Sequence, residues 1–372
     1  YVNPDAPKGG AIKVPGLDTF ETVHPFILKG RKEILAKALL FDTLMARSFD
    51  EPDSFYALVA KSVEVPADKS WVAFNIDPRA RFHDGSRITA ADIVFTFNAL
   101  KKDGHPRYRV TFRDVDRAEA TAPDRVKFTF KPGTHRDLPT RLASLPVLSK
   151  TYYDKVDFKK TTFDAPLASG PYRIGKFEPG RSITYSRVEN YWAKDLPVIR
   201  GRYNFNEITV DYYRDREIMF QAFFSQQYDF REDFTSRQWA TQYDKPPVNN
   251  GLVIREVLPD ETPSGVQAFI LNLRREKFQD IRVRTAIDMA FDFEWTNKTL
   301  FYSQYARTNS MFENSSLAAK APPTAEELVL LEPFRGKVPE EVFTTPFASP
   351  QSDGSGKLRS SLRKASRLLK QA

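Results

Sequence analysis

Between Trp71 and Leu100 the hydrophobic rhythm changes once, and the change marks a strand, a turn and a helix. Val72, Phe74 and Ile76 alternate with Ala73, Asn75 and Asp77, the period of a half-buried strand. His83-Asp84-Gly85 supplies a turn. Thr89 stands three residues before Asp92, which predicts a capped helix with Ile93, Val94, Phe97 and Leu100 on its apolar stripe. Elsewhere the pattern predicts a short strand at 11–14 after a Pro/Gly-rich opening, a loop over 19–25, and a helix over 34–45 with Leu35, Ala38, Leu39 and Phe41 in step. Residues 125–131 alternate with Val126, Phe128 and Phe130 on one face. The Ala122-Pro123-Asp124 turn before them predicts a hairpin with 115–120. Residues 169–185 predict two strands joined at Glu178-Pro179-Gly180. Residues 216–227 predict a helix with Ile218, Met219, Ala222 and Phe223 on one side, and 228–230 a short strand. Further on, 251–258 and 266–273 read as strands. Asp280 caps a helix to Phe291 with Val283, Ile287 and Ala290 inward. Residues 317–356 read as loop, and 357–372 as an amphipathic helix striped by Leu358, Leu362, Ala365 and Leu369. No repeat is visible. Strands and helices mix without strict βαβ alternation, so a multi-lobe α/β or α+β protein is expected.

Composition narrows the picture. A chain of 372 residues exceeds one ordinary core and predicts two or more lobes. Hydrophobic residues at 41% and charged residues at 28% fit a globular chain, and no apolar run approaches the ~20 residues of a membrane span. With no cysteine, the chain has no disulfide, thiolate nucleophile, Cys-ligated metal or lipidated Cys. It opens at Tyr1 without a charged n-region, so a processed or trimmed form is expected. The net charge of +8 comes from 56 basic and 48 acidic residues interspersed along most of the chain, which reads as a solvated mixed surface. The 30 Phe can line a cleft, but in a large protein most aromatics are core.

Several words in the chain carry a resemblance. Trp71, Arg79, Phe82, His83, Asp84, Gly85, Thr89, Ala90 and Asp92 follow the signature of the family 5 extracellular solute-binding proteins, which capture peptides and similar solutes for ABC importers. A second block is Ser169-Gly170-Pro171-Tyr172, then Pro179-Gly180, Arg187, Asn190-Tyr191-Trp192 and Phe205-Asn206-Glu207-Ile208. A third is Asn272 followed by 278–284 and Phe291-Asp292. Within the family the chain resembles YejA-like oligopeptide-binding proteins through 1–10, Tyr212-Tyr213-Arg214-Asp215, Phe291-Asp292-Phe293-Glu294-Trp295 and Phe312-Glu313-Asn314-Ser315. The resemblance implies an α/β, two-lobe periplasmic-binding-protein fold of the cluster C type. Lobe one spans 1–250 with a smaller subdomain at about 48–165, and lobe two begins in 251–372. YejA-like chains continue beyond a helix like 368–372, so lobe two is expected to be incomplete here, with the rest unmatched or a separate C-terminal piece.

The resemblance further implies a periplasmic receptor that is not an enzyme, has no cofactor, and takes an oligopeptide ligand to a membrane ABC permease. Peptide capture needs strand-like backbone partners and charges for the peptide termini. Candidate ligand contacts are Thr22 and His24 in the loop after the first strand, and Arg231, Glu232, Phe234 and Trp239 after a strand end. Gln267, Phe269 and Asn272 on the first lobe-two strand, and Phe312, Glu313 and Asn314 in a loop, complete the set. Each has a plainer alternative: a turn for His24, a salt-bridged surface for 231–239, and sheet packing for 267–272. His83 and Asp84 form a structural turn in this family rather than a catalytic pair.

Rival readings find little. The four His (24, 83, 105, 135) are scattered, with no HExxH, GxSxG or P-loop. The one concentrated basic face, on 357–370, reads as solvated surface rather than a nucleic-acid site. A third alternative keeps the fold but changes the solute to an opine, a metal complex, a sugar or a peptide antibiotic.

Overall fold

The computed structural model describes residues 2–48, 51, 54–133, 137–259 and 262–372, so Tyr1 and His135, both singled out above, lie outside the described residues. The chain divides into two compact units, Tyr1–Arg231 and Glu232–Ala372. It is a mixed α/β protein.

Among its described residues unit one carries ten strands: β1 (Ala11–Leu17), β2 (Met45–Arg47), β3 (Phe55–Ala57), β4 (Ala60–Glu64), β5 (Trp71–Ile76), β6 (Val115–Ala122), β7 (Arg125–Phe130), β8 (Tyr172–Glu178), β9 (Ser182–Arg187) and β10 (Glu207–Tyr213). Its helices are α1 (Ala36–Leu40), α2 (Ala90–Asp103), α3 (Pro106–Thr111), α4 (Leu138–Ala143), α5 (Lys150–Tyr153) and α6 (Arg216–Phe224). One sheet runs β1-β10-β9-β8, with β1 parallel to β10 through Val14 opposite Val210 and the other pairs antiparallel. A second sheet runs β4-β5-β7-β6, antiparallel throughout, and β2 pairs with β3 in a ribbon.

The strand-turn-helix expected at 71–100 is present. Val72, Phe74 and Ile76 are buried on one face of β5, beside Val126 and Phe128 of β7. Ile93, Phe97 and Leu100, at i, i+4 and i+7 on α2, close over them. The Phe97 and Phe128 rings meet at 5.4 Å and 70°. The Asp92 carboxylate accepts the Thr89 N–H at 2.9 Å and the Thr89 hydroxyl at 2.7 Å, so the cap is formed. Its other oxygen accepts the Lys150 N–H at 2.9 Å, which ties α5 to the start of α2.

Other elements depart from the pattern. The helix expected over 34–45 shrinks to α1. Beyond it the Leu44 N–H donates to the Leu145 carbonyl at 3.0 Å and the Val147 N–H to the Asp42 carbonyl at 2.9 Å, so pairing across the fold holds 42–44 extended. The strand expected at 228–230 is a clip instead: Asp229 exchanges backbone and carboxylate bonds with Lys13 at 2.9 and 2.7 Å and makes no further ladder.

Unit two carries α7 (Ser236–Thr241), α8 (Pro246–Asn249), α9 (Ile281–Met289), α10 (Phe293–Leu300), α11 (Ala325–Leu331) and α12 (Arg359–Gln371). Neither 251–258 nor 266–273 forms a strand. A strand needs a ladder partner and a covered face, and among the described residues of this unit neither exists: Ile254 is 85% and Phe269 94% exposed. Asp280 caps α9, accepting the Arg282 N–H at 2.8 Å. The inward residue is Ala286, whereas Ile287 and Ala290 are exposed, because α12 packs on a neighbouring stripe through buried Ala365. The region expected to be loop contains α11, whose cap pairs Thr324 with Glu327.

Candidate ligand-binding site and its scaffold

The sequence words of unit one are clips that fix its two sheets together. The His83 N–H donates to the Ala168 carbonyl at 2.8 Å, and its Nε2–H donates to the Gly170 carbonyl at 2.8 Å. A carbonyl can only accept, so Nε2 carries a proton, and partial burial of the ring favours its neutral form. Burial lowers the His83 pKa, in agreement. Asp84 is engaged with Ser86, accepting its N–H at 2.9 Å and its hydroxyl at 2.6 Å. Gly170 is needed for close approach: a Cβ there would sit 2.6 Å from the Leu40 carbonyl carbon and 2.7 Å from the Leu39 oxygen.

Two buried carboxylates complete this frame. Asp42 accepts the Tyr191 hydroxyl at 2.6 Å and the Trp192 indole N–H at 2.8 Å, which explains the Asn190-Tyr191-Trp192 word. Burial pushes its pKa up to about 7 against the pull of those donors. Glu33 accepts the Tyr185 hydroxyl, the Tyr212 hydroxyl at 3.1 Å and the Leu35 N–H at 2.8 Å, and burial raises its pKa as well. Sequence reading missed both. For Asp42 the signal was a charge inside the apolar run 38–45, which is costly unless hydrogen-bonded; Glu33, next to Arg31 and Lys32, gave no such signal.

The candidate contact residues fall in several places. Thr22 and His24 are buried together, with the His24 N–H on the Thr22 hydroxyl at 3.1 Å. Thr22 also bonds the backbone of Thr162, and His24 Nε2–H donates to the Phe158 carbonyl at 2.9 Å. Burial pushes the His24 pKa down to about 4. The cavity beside it is about 10 Å³, at the lower limit for one water. Arg231 stacks over the Phe220 ring at 4.9 Å and reaches the Tyr228 hydroxyl at 3.3 Å. An open apolar groove of about 500 Å³ along α2, between Phe95, Tyr153 and Phe158, holds none of the candidates.

In unit two, Glu232 and Phe234 are exposed. Trp239 lies under the Arg255 guanidinium at 4.0 Å and against Tyr243 at 5.4 Å. Gln267, Phe269 and Asn272 are exposed on the unpaired segment, with Asn272 Oδ1 accepting the Arg274 N–H at 3.1 Å. The loop with Phe312, Glu313 and Asn314 is brought to the start of that segment. The Ser264 N–H donates to the Glu313 carbonyl at 2.9 Å, and the Asn314 amide to the Thr262 carbonyl at 2.8 Å. Phe312 is left exposed. The word at 291–295 fastens a different loop. The Ser352 hydroxyl binds Asp292 and its N–H binds Glu294 at 2.9 Å, so α10 holds the segment before α12. No helix among the described residues is long and apolar enough to cross a membrane.

These clips sit on the words shared with a known class. The pattern described as "Bacterial extracellular solute-binding proteins, family 5 Middle" matches residues 54–372, and the chain belongs to that family. It is similar to the uncharacterized protein YejA of Escherichia coli strain K12, 43% identical over 373 residues, covering 100% of this chain and 61% of that protein. It is also 37% identical over 381 residues to the probable peptide-binding protein YejA of Agrobacterium fabrum, covering 100% and 62%. The chain thus spans about three fifths of these relatives' length. Among solved structures it superposes with a TM-score of 0.68 on the periplasmic binding protein DppA of Helicobacter pylori in complex with the peptide STSA, at 16% identity over 98% of this chain and 66% of that one. NikA of Brucella suis in complex with Fe(III)-EDTA gives 0.68 at 17% identity, over 97% and 64%. The fold is that of the two-lobe family 5 binding proteins.

Proposed function

We propose that the whole protein is a periplasmic receptor that captures oligopeptides between two lobes and delivers them to the membrane permease of an ABC importer. The observation that carries this reading is the similarity, along the entire chain, to a relative named as peptide-binding. The titratable groups of unit one's frame fit it too: His83, Asp42 and Glu33 are each tied by hydrogen bonds to residues of the scaffold, and Asp84 to Ser86 within its own turn. Lobe one on this reading runs to about residue 250, with the second sheet in a subdomain near 48–165, and lobe two starts near 251. The twelve candidates named above are its proposed contacts, with exposed Phe234, Phe269 and Phe312 supplying apolar surface. The part of the relatives' length outside this match supplies the strands that pair with 251–258 and 266–273, whether joined to the chain or as a separate piece.

Titration of the whole protein with tri-, tetra- and pentaalanine tests the reading calorimetrically. Saturable binding supports it. Binding of a metal complex or an opine with no response to peptides moves the solute to the second reading, which the NikA superposition favours. Peptide cleavage by the purified protein overturns the receptor role.

A further inference from the structure

Helix α2 has a buried side and a hollow side. Ile93, Phe97 and Leu100 pack into the core, while the opposite stripe lines the open groove of about 500 Å³. One wall of that groove is aromatic. Phe95 and Tyr153 stack at 5.9 Å and 22°, and Tyr153 meets Phe158 at 5.4 Å and 63°. This wall is fixed from two sides. The His24 ring packs edge to face on Phe158 at 4.8 Å, and the Asp92 carboxylate holds the start of α5 to α2 through the Lys150 N–H at 2.9 Å. Elsewhere the groove is lined by Ala91, Ala99 and Ala120, whose small side chains keep it open. Its volume falls in the range of small-molecule sites, about 300–1,000 Å³.

The groove also carries polar groups that the protein does not use. Asn98, Lys102 and Asp103 line it from the second half of α2, and Tyr153 from α5. Among the described residues no hydrogen bond or ion pair engages the Asn98 carboxamide, the Lys102 ammonium, the Asp103 carboxylate or the Tyr153 hydroxyl. Their neighbours are engaged. The Lys150 ammonium, also on the groove, pairs with Asp154 at 2.6 Å, and the Lys101 ammonium donates to the Val115 carbonyl at 2.7 Å. One cation and one anion are therefore free at the same end of an apolar groove. Asp103 is the last of the 14 residues of α2, so the negative end of the helix dipole adds to its attraction for an ammonium. A guest with a single charge would gain from one of these groups and be repelled by the other, whereas a guest with both charges beside an apolar body suits the whole lining.

We propose that this groove is a solute site, distinct from the twelve candidate contacts, that takes a free aromatic amino acid. The side-chain ring lies against Phe95, Tyr153 and Phe158, the ammonium faces Asp103 and the carboxylate faces Lys102. Asn98 and the Tyr153 hydroxyl supply further hydrogen bonds to the two charged ends. All of these residues belong to unit one, and the site does not rest on the peptide reading.

The test titrates the whole protein, carrying carbon-13 methyl labels on alanine and valine, with L-phenylalanine, 3-phenylpropionate and 2-phenylethylamine. Phenylalanine should give saturable shifts of the Val94 and Ala99 methyl signals, with an affinity about tenfold tighter than either singly charged analogue. Lys102→Gln should bring phenylalanine down to the level of phenylethylamine, and Asp103→Asn to the level of phenylpropionate. Shifts that never saturate, or that spare Val94 and Ala99, overturn the site. Equal binding of all three probes, of phenylalanine and one analogue, or a preference for phenylalanine that survives both variants overturns the assignment of a zwitterionic guest.

Discussion

Asp42 and His24, both buried in unit one, pull stability in opposite directions over overlapping pH ranges. Asp42 has a folded pKa of about 7 against an ordinary value of 3.8. Between these values the folded chain keeps a proton that the unfolded chain has released, so the stabilising term is full below pH 3.8 and is lost as the pH rises through 7. The difference amounts to roughly 4 kcal/mol. His24 behaves oppositely, at about 4 folded against 6.5 unfolded. Its contribution is full above pH 6.5 and is lost as the pH falls through 4, roughly 3 kcal/mol in all. Urea unfolding across pH 4–7 should therefore show Asp42→Asn rising more steeply with pH than the parent, and His24→Gln falling with pH relative to it. Parallel curves for parent and variants would contradict the assigned burial effects. At the acid end of that range Asp42→Asn should also be less stable than the parent by at least about 1–3 kcal/mol, because the two carboxyl oxygens take Tyr191 and Trp192 separately and the amide NH2 that replaces one of them cannot accept.

At the scale of elements, two glycines of the family words should respond differently to alanine. At Gly170 the new Cβ would meet the Leu39–Leu40 backbone, which cannot swing away, so Gly170→Ala should cost at least about 3 kcal/mol. Gly85 has a φ of +85° and open space around it, so Gly85→Ala should cost only about 1 kcal/mol of backbone strain. Chemical denaturation of both separates close packing from turn geometry, and equal losses would contradict the distinction. Phe97→Ala should cost about 3–5 kcal/mol, since it empties the contact between α2 and β7. The periodicity at 71–100 was legible because strand, cap and helix are each specified within a few residues. That His83 reaches Gly170, 87 positions on, was not, because the words do not show what they touch. The helix over 34–45 misled for the same reason: its apolar residues satisfy helical spacing, but 42–44 gain more from backbone pairing with 145–147. Thr324 and Glu327 were a readable capping box that was passed over within a Pro-rich stretch. Of the candidate contacts, Thr22 and His24 are local enough to be found near one another, while the loop of Phe312, Glu313 and Asn314 meets Thr262 and Ser264 only through tertiary structure.

At the scale of the whole molecule, the apolar segments 251–258 and 266–273 are exposed in a chain that spans about three fifths of its relatives. If the remaining length pairs with them, backbone amides of both segments should be strongly protected from hydrogen exchange in the whole protein, and free exchange there would contradict that pairing. The receptor reading itself is tested most directly by native mass spectrometry of the whole protein, purified from cells without denaturation and sprayed at low collision energy. The account predicts added masses in the oligopeptide range, released on activation and identifiable by fragmentation. A protein carrying only a metal complex or an opine, or one that stays empty when offered the peptide pool of its own cell envelope, would contradict it.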